Sequence, residues 1–320
     1  MAQLKRTVKV STKTVEADDV TSFEFVATEG STLRPFTAGS HIDVEIKPGL
    51  IRQYSLCNDP REKHRYLIAV LREPKSRGGS VAIVDGIAVD DEVTISEPRN
   101  HFALEPTARR VLLLAGGIGI TPILSMAEAL AHDGTPFEMH YCARSRNRAA
   151  FHDRITSSNF ADSVRFHFDD KDAPIDLDRI LAVHEQSYHL YVCGPNSFID
   201  AVIAKAKAAG WAAGNVHKEF FTPSEDLDLD RERSFEIEIC STGERLKVEK
   251  DKSVAEVLGA HGFDIPLSCE QGICGTCITR VIKGTPDHRD MILTDDEKAK
   301  NDQFAPCCSR SISDVLVLDL

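Results

Sequence analysis

Residues 268–277 read S-C-E-Q-G-I-C-G-T-C. Cys269, Cys274 and Cys277 are spaced C-x4-C-x2-C, and Cys307 follows further along the chain. This is the plant-type [2Fe–2S] spacing. A tight loop supplies most of the thiolates, and one distant cysteine completes the set. Gly272 and Gly275 let backbone N–H groups turn toward the sulfurs, and such hydrogen bonds tune a cluster's potential. A zinc site or an inert thiol group is the other use of crowded cysteines. Zinc is more often held by C-x2-C pairs. The reading is therefore a cluster on Cys269, Cys274, Cys277 and Cys307. Cys308 stands as a spare candidate for the fourth ligand, although the spacing favours Cys307.

The segment around these cysteines reads as a small α+β unit. F-E-I-E-I-C (235–240) and R-L-K-V-E-K (245–250) alternate as strands do. Ser253 can cap a short helix, V-A-E-V-L-G-A-H, that stops at Gly262. I-T-R-V-I-K-G and the terminal V-L-V-L-D-L read as further strands. The segment 235–320 looks like a β-grasp ferredoxin domain.

Composition narrows the rest. The chain has 320 residues, 42% of them hydrophobic, enough for two or three domains of ordinary size. Its net charge of −12 makes nucleic acid and anionic membrane poor partners. No apolar run reaches the length of a membrane span. The start, M-A-Q-L-K-R-T-V-K-V, lacks a signal peptide's apolar stretch, so a cytoplasmic location is expected. Nine cysteines in a reducing compartment point to metal binding or chemistry rather than disulfides.

A cluster needs an electron source, and the middle of the chain offers one. R-V-L-L-L-A (110–115) reads as a buried strand and leads into G-G-I-G-I-T-P (116–122), then a helical pattern. Strand, Gly-rich turn and helix N-terminus make a phosphate cradle. Gly116, Gly117 and Gly119 are present, but Thr121-Pro122 replaces the end of the G-x-G-x-x-G fingerprint. A plain tight turn fits that stretch as well. Alternating strands and helices continue through 107–222, including I-D-L-D-R-I-L-A-V-H as a helix and Cys193-Gly194-Pro195 at a strand end. This predicts a doubly wound parallel sheet that binds ligands at its strand C-termini.

The first 106 residues have another texture. Short strands separated by turns predict a small antiparallel barrel. It contains R-Q-Y-S-L (52–56) and R-G-G-S-V-A-I-V-D (77–85). The second is a Gly-Gly-Ser turn opening a helix-like stretch, able to bind phosphate through backbone N–H groups. Taken singly, Arg52 and Tyr54 read as ordinary strand packing with a surface ion pair. Between 223 and 234 the chain is charged and poor in packing residues, which reads as a tether.

The order R-x-Y-S-L, G-G-S, G-G-x-G-x-T-P, C-G-P and an acidic-aromatic tail resembles the ferredoxin–NADP reductase superfamily. With the cysteine-rich domain last, the chain is similar to the phthalate dioxygenase reductase and vanillate demethylase reductase family over essentially its whole length. The resemblance implies that Arg52, Tyr54 and Ser55 line a flavin, with the Ser55 hydroxyl near N5. It implies backbone contacts from Ala69, Val70 and Leu71, a flavin-phosphate site at Gly78, Gly79 and Ser80, and an approach to the ring by Thr121. Glu219 and Phe221 of H-K-E-F-F match the acidic and stacking aromatic positions, and Cys193 would lie near the nicotinamide C4. Ser55, Cys193 and Glu219 are the expected catalytic group. Gly116, Gly117, Gly119, Arg144, Gly194 and Pro195 would join Cys193 in holding NAD. Cys193 as a buried small hydrophobe and Phe221 as core are the plainer alternatives.

A-R-S-R-N-R (143–148) is basic enough to recognise a 2′-phosphate, whereas H-F-D-D-K-D (167–172) places carboxylates after the next strand. With the resemblance, these favour NADH. The compact R-G-G-S turn and the domain order point to FMN. The expected activity is an NADH-dependent reductase that divides a hydride into single electrons, through FMN and [2Fe–2S], for a Rieske-type terminal oxygenase. A cytochrome P450 or di-iron monooxygenase is the alternative acceptor. An iron–sulfur redox sensor without turnover is the alternative of another class.

Overall fold

The computed structural model describes residues 5–74, 78–171, 174–185, 187–222 and 233–320. The chain divides into two compact units, Gln3–Phe221 and a C-terminal one from Thr222 to Leu320. The tether read at 223–234 lies, from 223 to 232, outside the described residues.

The first unit begins with β1 (Lys5–Ala17), β2 (Val20–Ala27), β3 (Ser40–Lys47), β4 (Leu50–Ser55), β5 (Arg65–Leu71), α1 (Gly79–Gly86), β6 (Glu92–Ser96) and β7 (Arg99–Asn100). The strands pair antiparallel in the order β4-β3-β6-β1-β2-β5, with β7 added to β3. They curl into a barrel around Phe23, Phe25, Ile42, Ile68 and Ile95. Alternation drives this. Phe23 and Phe25 point inward from β2 and are fully buried, each contributing about 1.5–3 kcal/mol by burial. The long β1 carries a weak strand signal in the sequence, because its exposed positions are Lys or Thr except Val15.

The unit continues with β8 (Arg110–Gly116), α2 (Ile120–Asp133), β9 (Phe137–Ala143), α3 (His152–Thr156), β10 (Val164–Phe168), α4 (Leu177–Leu181), β11 (Tyr188–Gly194), α5 (Asn196–Ala209) and β12 (Val216–Phe220). The sheet is wholly parallel, in the order β10-β9-β8-β11-β12. The helix expected over I-D-L-D-R-I-L-A-V-H is shorter than that stretch and ends at Leu181.

Barrel and parallel sheet share one apolar core. Ala69, Leu67 and Phe102 of the barrel side cluster with Leu113, Ile123, Met126 and Tyr141. Polar ties cross the same joint. Ser125 on α2 donates to the Asn58 carbonyl at 3.0 Å, and Arg154 on α3 donates to the Cys57 carbonyl at 3.3 Å.

The second unit holds β13 (Phe235–Ile239), β14 (Arg245–Val248), α6 (Val254–Ala260), β15 (Thr279–Lys283), β16 (Pro286–Asp287), α7 (Asp295–Lys300), β17 (Gln303–Phe304), β18 (Arg310–Ser311) and β19 (Val315–Leu318). Its sheet order is β14-β13-β19-β15-β17. β13 runs parallel to β19 and antiparallel to β14, the mixed pairing of a β-grasp. Ser253 caps α6, as the sequence predicts, and the structure adds a reciprocal box with Glu256.

Candidate functional site

In the barrel, β4 and β5 are the two ends of the strand order, and among the described residues no ladder joins them. The seam between them is where edge N–H and C=O groups remain open to a ligand. Arg52, Tyr54 and Ser55 lie on β4, and Ala69, Val70 and Leu71 on β5. Helix α1 starts at the same seam. Gly78 caps it with φ 82°, a conformation that favours glycine. A Cβ on Gly79 would stand 2.5 Å from Arg52 Nε and 2.7 Å from its Cγ. The guanidinium therefore lies across the first turn of α1. A helix N-terminus with a cation beside it is an anion cradle, and only a residue without a side chain leaves that space.

The other end of α1 is fixed by Lys13, which donates to the Val84 and Ile87 carbonyls at 2.7 and 2.8 Å. Nothing local in the sequence marks Lys13, because its partners lie about seventy residues away. The Ser80 hydroxyl is engaged with the backbone of Glu73, accepting from its N–H at 3.1 Å. Tyr54 is largely enclosed, and burial pushes its hydroxyl above the usual range.

In the parallel sheet, chain order reverses between β8 and β11, the switch point at which such sheets bind ligands. Gly116 ends β8 and Gly117 and Gly119 follow it, while Cys193 and Gly194 end β11 and Pro195 follows. The two turns pack backbone to backbone. A Cβ on Gly119 would collide with the Cys193 carbonyl, and one on Gly194 would stand 3.0 Å from Gly116 Cα. Thr121 is buried, and its hydroxyl donates to the Ile118 carbonyl at 3.1 Å, so it shapes the turn.

The expected catalytic group comes together between these features. Ser55 Oγ donates to Glu219 Oε2 at 3.3 Å. Cys193 lies opposite Glu219 in the β11–β12 register. Glu219 keeps a partial opening to the surface but is enclosed elsewhere. Burial pushes its carboxyl up to about 8, and the Ser55 hydrogen bond opposes this only in part. Burial, with the nearby Glu219, also holds the Cys193 thiol well above its ordinary value. Phe221 is half-buried against the shared core.

Beyond β9, Arg144 is exposed. Arg146 pairs with Asp153 at 3.5 Å and Arg148 with Asp19 at 3.2 Å. Asp169 and Asp170 follow β10.

In the second unit the thiols of Cys274, Cys269, Cys307 and Cys277 contact one another in that order, and Cys308 touches Cys307. Among the described residues, no three His, Cys, Asp or Glu side chains are placed to hold a single metal ion. The order sets Cys269 beside Cys274 and Cys277 beside Cys307, which fits a cluster in which each of two irons takes two thiolates. Backbone N–H groups of Gln271 and Ile273 donate to the Cys269 sulfur, the first at 3.4 Å. Between them Gly272 has φ 73°, and its missing side chain leaves room for the Cys308 sulfur. Cys308 thus packs behind the loop, while Cys307 joins the other three thiols.

An antiparallel barrel with a cation at a Gly-rich helix start, a parallel sheet with a Gly-rich switch point, and a β-grasp with three loop cysteines and a distant fourth define an electron-transferring oxidoreductase. The comparisons agree. Residues 237–311 match the 2Fe-2S iron-sulfur cluster binding domain. Residues 95–216 match the N-terminal domain of dimethylamine monooxygenase subunit DmmA-like proteins. A vanillate O-demethylase oxidoreductase of Pseudomonas sp. strain HR199 is 52% identical over 98% of this chain and 99% of its own. The structure of phthalate dioxygenase reductase covers all of this chain and 98% of that one, at 38% identity and a TM-score of 0.76. An intact type IV self-sufficient cytochrome P450 monooxygenase matches 99% of this chain with 41% of its own, at 38% identity and a TM-score of 0.87.

The chain belongs to the vanillate O-demethylase oxidoreductase and phthalate dioxygenase reductase family. It is an oxidoreductase of the oxygenase-reductase kind, using flavin, NAD(H) and a [2Fe–2S] cluster. No helix among the described residues is long and apolar enough to cross a membrane.

Proposed function

We propose that this protein is the cytoplasmic NADH-dependent reductase component of a Rieske-type oxygenase system, with FMN as its flavin. The observation that carries the reading is the meeting of the two ligand features at one buried carboxyl. The seam beside Arg52 and Gly79 and the turn at Cys193 both converge on Ser55 and Glu219. In this reading the barrel occupies 1–106, the nucleotide part 107–222 and the ferredoxin part 235–320.

Arg52 and the first turn of α1 hold the flavin phosphate. Ala69, Val70 and Leu71 present the open edge of β5 to the ring. Ser55 and Glu219 stand where the nicotinamide must approach, and Phe221 covers the ring until it does. Gly116, Gly117, Gly119, Gly194 and Pro195 shape a groove for the dinucleotide, and Arg144 reaches toward its outer end. The engagement of Arg146 and Arg148 by carboxylates, with Asp169 and Asp170 nearby, supports NADH over a cofactor carrying a further phosphate. A flavin held at the seam would supply the conversion of a two-electron hydride into single electrons. Cys269, Cys274, Cys277 and Cys307 are the proposed ligands.

Similarity to a vanillate O-demethylase oxidoreductase supports the Rieske-type partner. A cytochrome P450 acceptor is the second reading, favoured by the matching segment of a self-sufficient P450. Single-turnover reduction of purified acceptors by the NADH-reduced protein tests the first. Reduction of a vanillate demethylase oxygenase within seconds is expected, and a protein that reduces only a P450 overturns it. Acid-released flavin is expected to be FMN, and stoichiometric FAD overturns that part.

A further inference from the structure

Asp290 belongs to none of the ligand sets described above, yet its side chain is wholly enclosed beside the cysteine loop. Its Oδ2 accepts the Leu293 N–H at 2.9 Å, and the Ser309 hydroxyl lies 3.4 Å from its Oδ1. Lys298 on α7 donates to the Asp290 carbonyl at 2.6 Å and stands 3.9 Å from Oδ2. His288 Nδ1 is 3.5 Å from Oδ1.

These contacts reach both halves of the cysteine set. On one side Met291 N–H donates to the Gly272 carbonyl at 2.9 Å, and a Cβ on Gly272 would stand 3.0 Å from Asp290 Cα. Gly272 is the middle of the loop between Cys269 and Cys274. On the other side Ser309, two residues after Cys307, binds the carboxylate and also accepts the Arg289 N–H at 3.1 Å.

A carboxylate is costly to bury unless donors surround it, and here they do. A charge held in a poorly polarisable interior acts strongly on neighbouring groups. Adding an electron beside a fixed anion is unfavourable, and net charge near a cluster is one of the levers on its potential.

We infer that Asp290 is a positioning residue that clamps the Cys269–Cys277 loop to the Cys307 segment, and that its buried negative charge lowers the cluster's reduction potential, with Lys298 as the opposing charge. The inference rests on the cluster assignment above. Its sign separates it from a merely structural role, because removing the two charges must move the potential in opposite directions.

The test is an EPR-monitored redox titration of the full-length holoprotein and two variants, Asp290→Asn and Lys298→Met. Asp290→Asn is expected to raise the midpoint and Lys298→Met to lower it. The expected size is about a tenfold change in the reduced-to-oxidised ratio, or ~59 mV for one electron. Unmoved potentials, or shifts of both variants in the same direction, overturn the inference. If Asp290→Asn assembles no cluster, Lys298→Met decides, since a lowered midpoint supports the charge role and an unchanged one overturns it. A wild-type protein without a [2Fe–2S] signal would defeat the cluster assignment instead.

Discussion

Ser55 and Glu219 are 164 residues apart in sequence, and the hydroxyl of one donates to the carboxyl of the other over 3.3 Å. The bond ties the last residue of a barrel strand to the last strand of the parallel sheet. It also supplies little compensation for the burial of Glu219, whose carboxyl rises from the ordinary 4.5 to about 8. An acid raised in the folded state favours its protonated form there. Its contribution is thus fully present below about pH 4.5 and is lost as pH climbs through about 8. Glu219→Gln, which mimics the protonated form, should match the wild type in acid and become relatively more stable up to about pH 8, then hold a constant lead. Urea midpoints at fixed ionic strength across that range measure this, and a gap that does not vary with pH refutes it.

Arg52 and Gly79 yield a second prediction. A hydrogen bond between a guanidinium and a phosphate contributes about 1.5–3 kcal/mol, so Arg52→Ala should weaken flavin binding roughly 10- to 100-fold. Gly79→Ala should do similar damage by displacing the same guanidinium. The double variant should then lose far less than the two single losses combined, because both act through one group. Equilibrium titration of the apoprotein with FMN gives the three constants, and strict additivity would separate Gly79 from Arg52.

Much of this was legible because the relevant signals are short-range. The strand periods of β2, β3, β5 and β13, the Ser253 cap and the C-x4-C-x2-C loop are each written within a dozen residues. Lys13 and the Ser125–Asn58 tie were not, since each acts on groups far along the chain, nor was Asp290, whose Ser309 and Gly272 contacts join separate segments. Strand β12 escaped as well, because its alternating His217 and Glu219 look polar until the fold encloses them. In A-R-S-R-N-R, the basic run is evident, but its neutralisation by Asp153 and Asp19 depends on the tertiary structure.

The neighbouring cysteines are separable by mutation. Cys307 contacts Cys269 and Cys277, whereas Cys308 touches Cys307, Ala305 and Ser309 and packs against Gly272. Cys307→Ser should therefore abolish the EPR signal of the reduced cluster, and Cys308→Ser should retain most of it. NADH should still bleach the flavin in both. The opposite pattern would transfer the fourth ligand to Cys308.

The last prediction concerns the encounter with the acceptor. Residues 235–320 carry 16 Asp or Glu against 10 Lys or Arg, before the negative charge of the thiolates is added. Helix α7 brings part of that excess close to the cysteine loop, because Lys298 anchors it to Asp290. The acidic run on α7 is not uniform, however. Glu297 turns back to accept from the Thr294 N–H and hydroxyl, each at 2.8 Å, closing the capping box. Asp295 and Asp296 lie in the same first turn, outside that box. Electron-transfer encounters are small and transient, and complementary charge quickens them more than it tightens them. Neutralising Asp295 and Asp296 together, as Asp→Asn, should slow second-order electron transfer to the oxygenase by roughly several-fold at low salt. The difference should vanish near 1 M salt, where charges are screened over about 3 Å. Glu297→Ala should instead open the capping box, at roughly 0.5–1.5 kcal/mol for a hydrogen bond lost, and so affect stability more than encounter rate. Stopped-flow rates across a salt series, beside the NADH-to-flavin step as an internal control, separate these effects. A transfer rate indifferent to salt would remove the steering role and leave the acidic face as a solvated surface.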